Sequence, residues 1–520
     1  MSRSVRQSQA WLHTWSGLLL GWVLYAMFLT GTSAYWRDEL TRWMTPELGA
    51  PVEGTMAARR ALDWLGTHAT GAESWTLQLP GPRNAGTQVS WRMPGQSFRE
   101  AFANRTWLDD AGEAVDVRET RGGDFFYRLH FDMHYMPVVW GRWLAGIAAM
   151  CMLVAIVSGV ITHRKIFADF FTFRRGKGQR SWLDGHNALA VLALPFHLMI
   201  TYTGLVTLMT LYMPLAVDTR YPDVQAFYAD LFPAAPAVEA SGTRAPLGDI
   251  EPMLVRAVAD WGHGRAGTVR IEHPGDAAAQ IVIARNVDAR ILYREQAIAF
   301  AGTDGRIVWR SPEPDAAAST RGGMVGLHAA RFAPMTMRWL FFLASLAGTL
   351  MVASGLVLWT VKRRAQLPDP ARPHLGFRVV ESLNIGFVAG LPVAMAGYLW
   401  ANRLLPTDMA ERGAWEIHLF FLVWLACLLH ACARRPVAAW REQLAAGAVL
   451  FAALPVYNAM ATSHGVFASL AAGDVPMATM ESCLLGLGVL LAWMSWAVDR
   501  HARRTPVRTT RRARAAVAPT

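Results

Sequence analysis

Most of the fifteen histidines in this 520-residue chain lie in or beside strongly apolar stretches. A polar side chain in hydrocarbon raises the free energy of the protein, so such residues usually serve a function. Neutral imidazole is a common axial ligand of haem iron, and two imidazoles give a six-coordinate haem that carries electrons rather than binding oxygen. The candidate ligands of haem iron are His13, His186, His197, His134 and His328, with His163 and His130 as competitors.

The spacing of His186 and His197 indicates how two haems could be stacked. The two residues are 11 positions apart in one apolar stretch. On a continuous helix this spacing gives three turns plus about 20° and a rise of roughly 16 Å, so both side chains share a face at two depths. One helix could therefore ligate two haems, which is the arrangement needed to carry electrons across a bilayer.

Similarity between the two halves of the chain suggests which histidines pair. His13 and His186 hold equivalent positions near the starts of two apolar segments, so an inner haem could take both. His134 and His328 hold roughly equivalent positions near the outer ends of two other segments, and they could flank an outer haem.

Three further histidines leave this pairing open. His163 competes for the inner site, and His130, one turn from His134, competes for the outer site. If His197 binds the outer haem, one of the outer histidines must reach deeper than the predicted helix ends place it. A single histidine at the membrane surface is more often a headgroup contact or a helix cap; this alternative applies to His130, His163, His418, His430 and His464.

The elements that must position these residues are membrane helices. Apolar residues make up 53% of the chain and its mean hydropathy is +0.21, which is too apolar for a soluble protein of this length. A transmembrane helix needs about 20 mostly apolar residues. Eight segments qualify, at roughly 15–36, 138–162, 187–213, 338–361, 383–401, 415–433, 443–461 and 477–498.

The net charge of +11 comes from basic residues at the ends of these segments, so it indicates topology and not nucleic-acid binding. With eight spans, the positive-inside rule predicts a multi-pass protein of the bacterial inner membrane with both termini in the cytoplasm. All four cysteines lie in apolar stretches and no CxxCH motif occurs, which argues against covalently attached haem c. We therefore expect haem b.

Two long polar segments, 37–130 and 214–330, are expected to form small α+β domains on the periplasmic side. Each has one stretch of helical spacing followed by strand-like alternation. The predicted helices are Thr55–His68 and Gly248–Trp261. The predicted strands are Trp75–Leu79, Thr87–Met93, Thr268–Glu272, Gln280–Ala284 and Ile291–Phe300.

The flanking helices repeat as well as the domains. Arg142-Trp-Leu runs to Ser158-Gly, and Arg338-Trp-Leu runs to Ser354-Gly, so residues 8–365 are predicted to be a duplicated helix–domain–helix unit. Arg142 and Arg338 are typical membrane-surface anchors, although either could pair with a haem propionate. The predicted boundaries are 8–36, 138–163, 183–213 and 338–361 for four membrane helices, 37–130 and 214–330 for the domains, 378–500 for a four-helix extension and 501–520 for a basic cytoplasmic tail.

Several short motifs mark the ends of these helices. They are His13-Thr-Trp-Ser-Gly, Thr30-Gly-x-x-x-Tyr35, Leu129-His130 and the Ser-Gly ends of the second and fourth helices. In these motifs the chain resembles the PepSY-associated transmembrane family over about its first 365 residues. Some members are bacterial ferric-siderophore reductases, so the resemblance implies PepSY-like periplasmic domains and such an activity. The four C-terminal helices depart from the family's four-helix form, so the electron donor or partner could differ.

We therefore expect a membrane reductase with two haem b groups that passes electrons to a periplasmic ferric siderophore and releases Fe(II) for uptake. The sequence has no phosphate loop and no dinucleotide fingerprint, so the electron donor would be a separate cytoplasmic reductase or membrane quinol. Membrane lipid is the other expected partner, and no residue is assigned as catalytic.

Three alternatives stay open. The exported segments could be a PepSY-type binding or regulatory module that is anchored in the membrane without redox activity. The chain could be another kind of haem-containing electron carrier. A transporter with proton relays is less well supported because acidic residues within the spans are few, with Glu381, Glu416 and Glu481 near helix ends.

Overall fold

The computed structural model describes residues 4–49, 53–81, 83, 86–101, 103–162, 170, 172–174 and 176–504. The chain forms two compact units. The first extends to Lys362 and includes Pro406–Gly413, and the second consists of Arg363–Leu405 and the chain from Ala414 onward. The first unit contains the sheet and all the candidate iron ligands that the structure describes.

Helices make up most of both units. In chain order they are α1 (Val5–Leu19), α2 (Gly21–Ala34), α3 (Arg37–Met44), α4 (Gly54–His68), α5 (Phe98–Ala101), α6 (Asp124–Leu129), α7 (Val138–Thr162), α8 (Gln179–Leu192), α9 (Leu194–Thr207), α10 (Met209–Tyr212), α11 (Leu215–Asp218), α12 (Val224–Leu231), α13 (Ile250–Trp261), α14 (Ala316–Ala329), α15 (Met335–Arg364), α16 (Leu375–Val388), α17 (Gly390–Leu404), α18 (Arg412–Ala433), α19 (Pro436–Ala461), α20 (Val466–Ala471) and α21 (Val475–Arg504).

Many of these helices are apolar enough to cross a membrane. In the described residues, α7, α15, α16 with α17, α18, α19 and α21 give six candidate spans. The pairs α1–α2 and α8–α9 meet the same criterion only as bent pairs, so the number rises to eight if each pair is one span. The prediction of a multi-pass helical membrane protein is therefore confirmed, with six to eight spans.

The bends change the geometry expected for His186 and His197. The pair α8–α9 bends by 68° at Ala193, and α1–α2 bends by 64°. Pro195 lies in the first turn of α9, where it supplies no backbone N–H to continue the hydrogen bonding of α8. His186 lies on α8 and His197 lies on α9, on opposite sides of the bend. The prediction that both side chains share one face of a straight helix is therefore wrong.

Strands from both polar segments join in one antiparallel sheet. They are β1 (Ser74–Gln78), β2 (Thr87–Arg92), β3 (Arg105–Leu108), β4 (Ala114–Val115), β5 (Ala266–Glu272), β6 (Gln280–Arg285), β7 (Ala297–Ala301) and β8 (Ile307–Arg310). Their order is β4-β3-β2-β1-β5-β6-β7-β8. β1 pairs with β5, and Leu77 lies opposite Val269. Two separate small domains were expected; one composite sheet forms because β1 and β5 would otherwise each be an open edge.

The predicted strands agree with the observed ones except for Ile291–Phe300. There the structure has a strand only at Ala297–Ala301, and the preceding connection includes a 3₁₀ turn at Val287–Ala289. This connection packs against α14, where the backbone N–H of Tyr293 donates to the carbonyl of Gly322 at 3.0 Å. The alternating residues that suggested a longer strand therefore lie partly in a connection that is hydrogen-bonded to α14.

The main core of the first unit lies between the sheet and the helices α4 and α13. Leu65, Leu77, Leu254, Ile283 and Phe300 are at most 4% exposed within it. Successive side chains of a strand point to opposite faces of a sheet. The other face of β1 therefore presents polar side chains, and one of them, Gln78, lines a cavity.

Polar side chains are also buried in the second unit. Glu416 is 0% exposed and accepts a hydrogen bond from Asn402 Nδ2 at 2.8 Å. Glu481 is 1% exposed and accepts one from Asn458 Nδ2 at 2.6 Å. Arg403 Nε donates to Asn458 Oδ1 at 2.8 Å. Both carboxylates lie near helix starts, as expected, but the sequence did not indicate that they are buried in hydrogen-bonded networks.

Candidate haem-binding histidine pairs

The inner pair consists of His13 on α1 and His186 on α8. Their ring centres are 6.2 Å apart and the rings are nearly perpendicular, at 77°. Each ring is held from behind by a long helix: His13 Nδ1 lies 2.9 Å from the carbonyl oxygen of Ala155 on α7, and His186 Nδ1 lies 2.9 Å from that of Met351 on α15. The predicted juxtaposition of these two histidines is present.

The outer pair consists of His130, at the end of α6, and His328 on α14. Their ring centres are 6.1 Å apart, with an interplanar angle of 35°. His130 Nδ1 lies 2.7 Å from the carbonyl oxygen of Met27 on α2, and His328 Nδ1 lies 3.1 Å from that of Ile200 on α9. The structure thus places His130, rather than His134, beside His328.

These contacts decide which ring nitrogen can bind a metal. A carbonyl oxygen can only accept a hydrogen bond, so Nδ1 of each of the four histidines carries the proton and Nε2 keeps its lone pair. Burial lowers the pKa of His130, and burial together with the neighbouring His130 lowers the pKa of His328 to about 3. Both outer imidazoles are therefore neutral, as metal ligation requires.

Glycines allow the rings to pack closely against the helices. A Cβ atom at Gly31 would lie 2.8 Å from the ring of His130, and one at Gly204 would lie 2.9 Å from the ring of His328. The inner rings are bordered in the same way by Gly159 and Gly355, where the corresponding distances are 3.4 and 3.1 Å. A larger residue at any of the four positions would push against a ring, most severely at the outer pair.

The ring separations fit ligation of one iron from both sides. Imidazole nitrogen binds metals at about 2.0 Å, and the ring centre lies about 1.1 Å beyond the nitrogen, so two imidazoles on opposite sides of one metal have centres about 6.2 Å apart. The observed values are 6.2 and 6.1 Å. In the described ranges, no group of three or more His, Cys, Asp or Glu could hold a bare metal ion. Pairs suit haem, because the porphyrin supplies the remaining ligands.

A cavity of about 300 Å³ adjoins the outer pair. Its walls are mostly apolar, with side chains such as Phe28 and Leu205, and His130 and His328 are among the lining residues. Cations at the cavity are Arg37, Arg321 and Arg331. An apolar pocket with a few charged groups suits a flat apolar ligand that carries carboxylates, as haem does.

Arg321 was not singled out in the sequence. It precedes His328 by seven residues on α14, a spacing that places both on one helix face. Its guanidinium carbon lies 5.6 Å over the ring of Phe232, and it forms no ion pair within the part of the chain that the structure describes. The i, i+7 relation to a candidate ligand was the signal that could have identified it.

The remaining candidates lie elsewhere. The ring of His134 packs on Phe125 and Tyr135, at 6.1 and 4.4 Å. His197 is 1% exposed between aromatic rings, including Phe28 at 6.3 Å, and its Nε2 has no hydrogen-bond partner among the described residues. His163 lies outside the described residues.

The two anchoring arginines are engaged by carboxylates. Arg142 Nε donates to Asp132 Oδ1 at 2.7 Å. Arg338 forms an ion pair with Glu39 and its guanidinium carbon lies 4.7 Å over the ring of Trp36. A role as propionate partner therefore fits the cations of the outer cavity better than it fits these two residues.

Comparison with known proteins places this arrangement in a family. The model of the PepSY-associated TM region matches residues 10–362, which include the sheet and both histidine pairs. A protein of Pseudomonas aeruginosa that is itself described as uncharacterized is 28% identical over 306 residues, covering 56% of this chain and 75% of that protein. The match extends over more than half of the chain, and the chain therefore belongs to the PepSY-associated TM family.

Proposed function

We propose that the chain binds haem b at the inner and the outer histidine pair and passes electrons across the bacterial inner membrane to a periplasmic ferric siderophore. One observation carries this proposal: two pairs of imidazoles, each held through Nδ1 by a backbone carbonyl, have ring centres 6.2 and 6.1 Å apart. Haem bound there would supply one-electron redox chemistry. One electron converts the chelated Fe(III) to Fe(II), which the siderophore holds far more weakly, so the iron is released.

The protein's own residues contribute orientation and environment. The carbonyls of Ala155, Met351, Met27 and Ile200 hold the proton at Nδ1 of each histidine, which fixes the ring and makes Nε2 a better ligand. The mostly apolar walls of the outer cavity suit the flat apolar part of haem. Arg321, which has no ion-pair partner among the residues that the structure describes, offers a cation there for a carboxylate.

We also propose that residues 8–365 are a duplicated helix–domain–helix unit, with the sheet in the periplasm and both termini in the cytoplasm. The strand order supports the duplication, because the four strands of each polar segment follow in chain order outward from the central pair β1–β5. So do the inner hydrogen bonds, because Ala155 follows Arg142 by 13 residues and Met351 follows Arg338 by 13 residues. The basic residues at one set of helix ends support the topology. The electron donor would be a cytoplasmic reductase or membrane quinol.

The deciding experiment is a reduced-minus-oxidised visible spectrum of detergent-purified protein, with haem quantified per chain. We expect about two haem b groups per chain with the sharp α-band of bis-histidine ligation. Under anoxic conditions, a ferric siderophore should reoxidise the dithionite-reduced protein. A chain that stays colourless when haem is supplied during expression contradicts the proposal and leaves the anchored PepSY-type binding module as the function.

The close contact at Gly204 gives a prediction for the outer pair. In Gly204→Ala, the new methyl group would lie 2.9 Å from the ring of His328, so the ring must move away from the carbonyl of Ile200. Overpacking of this kind costs about 1–3 kcal/mol. We expect a lower thermal midpoint and a reduced content of the outer haem, measured by differential scanning fluorimetry and haem quantification.

Gly323→Ala is the matched control for this change. Gly323 is also helical, on α14, and a Cβ atom there meets nothing within 4 Å. Alanine is favoured over glycine in a helix by about 1 kcal/mol, so this variant should keep both haems and be at least as stable as the parent. Equal behaviour of the two variants would show that the Gly204 contact does not hold the His328 ring.

A further inference from the structure

A second, polar cavity of about 720 Å³ lies in the first unit between the sheet and α3. Strand residues from its polar face form one wall, among them Gln78 on β1 and Thr268 on β5. Arg37 and Arg331 line both this cavity and the one beside the outer histidines, so the two cavities adjoin. Nothing in the proposed haem sites uses the sheet side of this second cavity.

The charge of this sheet-side cavity is unbalanced. Nine arginines line it, against six carboxylates. Much of the positive charge is neutralised locally, since Arg265 contacts Asp288 at 2.8 Å and Arg331 contacts Asp38 at 3.2 Å. Two carboxylates outside the lining, Glu39 and Glu47, also pair with Arg83 and Arg118, so the nine arginines stand against eight carboxylates. Arg121 forms no ion pair among the described residues and is exposed to the cavity. An excess of cations remains.

Three arginines of this cavity each have one buried nitrogen without an acceptor, and one of them, Arg285, has no carboxylate partner among the described residues. The Nε atoms of Arg265, Arg285 and Arg331 are buried and have no hydrogen-bond partner among the described residues. Arg285 is 6% exposed, and within the described part of the chain it donates to neutral groups, to Gln296 Oε1 at 2.8 Å and to the ring of His263. Buried donors almost always have a partner. Arg285 is therefore a buried cation at this cavity whose partners in the described residues are neutral, so an anionic acceptor would stabilise it.

We infer that the sheet-side cavity binds a polyanionic ferric chelate, whose carboxylate or catecholate oxygens bear the negative charge, in preference to a neutral or cationic one. This inference rests on the proposed reductase function, for which it names the class of substrate. Arginine forms its strongest hydrogen bonds with such oxygens, often two at once. A cavity with one sign of charge also raises the local concentration of the oppositely charged ligand. Arg37 and Arg331 place the bound chelate beside the outer histidine pair.

Binding of redox-inert gallium complexes tests this inference without requiring haem. Gallium(III) replaces iron(III) in a tris-catecholate complex of charge −3 and in a neutral tris-hydroxamate complex, and neither can be reduced by the protein. The full chain in detergent is equilibrated with each complex by dialysis, and bound gallium is measured by mass spectrometry. We expect the anionic complex to bind at least about tenfold more tightly, with the difference shrinking as salt is raised.

Variants that remove arginines and variants that remove carboxylates should change anion binding in opposite directions. A loss of folding could not explain both results. Arg121→Gln, and its combination with Arg285→Gln, should weaken binding of the anionic complex by about tenfold while leaving the neutral one unchanged. Asp116→Asn with Glu295→Gln removes two carboxylates of the same cavity and should strengthen anion binding, a gain that misfolding cannot produce.

The possible outcomes separate this inference from the reductase proposal. Equal binding of the two complexes, or variants without effect on the anionic one, overturns the inference even if the protein holds haem and reduces iron. Selective binding of the anionic complex by a protein that holds no haem supports the cavity assignment and removes the reductase function.

Discussion

Replacing His328 by alanine should lower the haem content from about two groups to about one per chain. Among the described residues, His130 and His328 are the histidines that line the outer cavity, with ring centres 6.1 Å apart, and α14 carries no histidine besides His328. Loss of outer-shell partners of metal ligands already costs 10–100-fold in activity, so we expect loss of a ligand to slow ferric-siderophore reduction by more than about 100-fold. Haem quantification and anoxic reoxidation kinetics measure the two effects.

His134→Ala is the matched control. His134 is near the same end of the membrane helices and four residues from His130, but its ring packs on Phe125 and Tyr135. The variant should keep both haems and the parent rate. If His134→Ala loses a haem and His328→Ala does not, the outer pair has been assigned to the wrong histidines.

Replacing Glu39 by alanine should lower the free energy of unfolding by about 3–5 kcal/mol, the usual penalty for removing one partner of a buried ion pair. Glu39 is 1% exposed and lies between two arginines. It accepts hydrogen bonds from Arg83 at 3.2 Å and forms an ion pair with Arg338. These contacts join α3 to the start of α15, so their loss removes a carboxylate partner from Arg338, which is 5% exposed, and from Arg83. Thermal unfolding in detergent, followed by circular dichroism, measures the effect.

An exposed carboxylate provides the control for Glu39. Among the described residues Glu100 hydrogen-bonds to the nearby Ser97, and Glu100→Ala should leave the thermal midpoint close to that of the parent. A second variant, Glu39→Gln, keeps the shape of the side chain and removes its charge, so it should fall between the parent and Glu39→Ala. Parent-like stability of Glu39→Ala would mean that the two arginines find other acceptors.

The inner pair was predictable from the sequence, whereas the outer pair was only partly so. His13 and His186 lie within helices, where a regular repeat fixes depth and direction. His134 follows α6 in an irregular turn, and the backbone of its neighbours Met133 and Tyr135 has φ values of 57° and 56°. Such left-handed positions redirect the chain locally, and sequence patterns give little warning of them in non-glycine residues. The turn leaves His130, and not His134, beside His328.

His197 shows a different limit. Its spacing from His186 predicts a shared helix face only if the helix is unbroken. The helix breaks at Ala193, so the spacing does not give the relative direction of the two side chains. Proline at position 195 was visible in the sequence, yet proline is also tolerated within transmembrane helices. The apolar runs therefore predicted the spans, but the angle between their halves depends on packing against neighbouring helices.

The composite sheet was beyond prediction for a related reason. Alternation identified β1 and β5 as strands. Pairing between them depends on two edges that lie far apart in the chain, and an edge carries the same residue pattern whether it is free or paired. Only the three-dimensional arrangement shows that the two polar segments share one sheet.

The pairing of β1 with β5 sets an order of events during synthesis. Between Gln78, the last residue of β1, and Ala266, the first of β5, the ribosome must add 187 residues. At 5–20 residues per second this takes about 10–40 s. Throughout that interval the first four strands have an open edge at β1, which is prone to pair with other chains. A nascent chain that pauses before Ala266 is thus prone to aggregate through the open edge of β1. Once the second polar segment has been synthesised, β5 can pair with β1 and cover that edge.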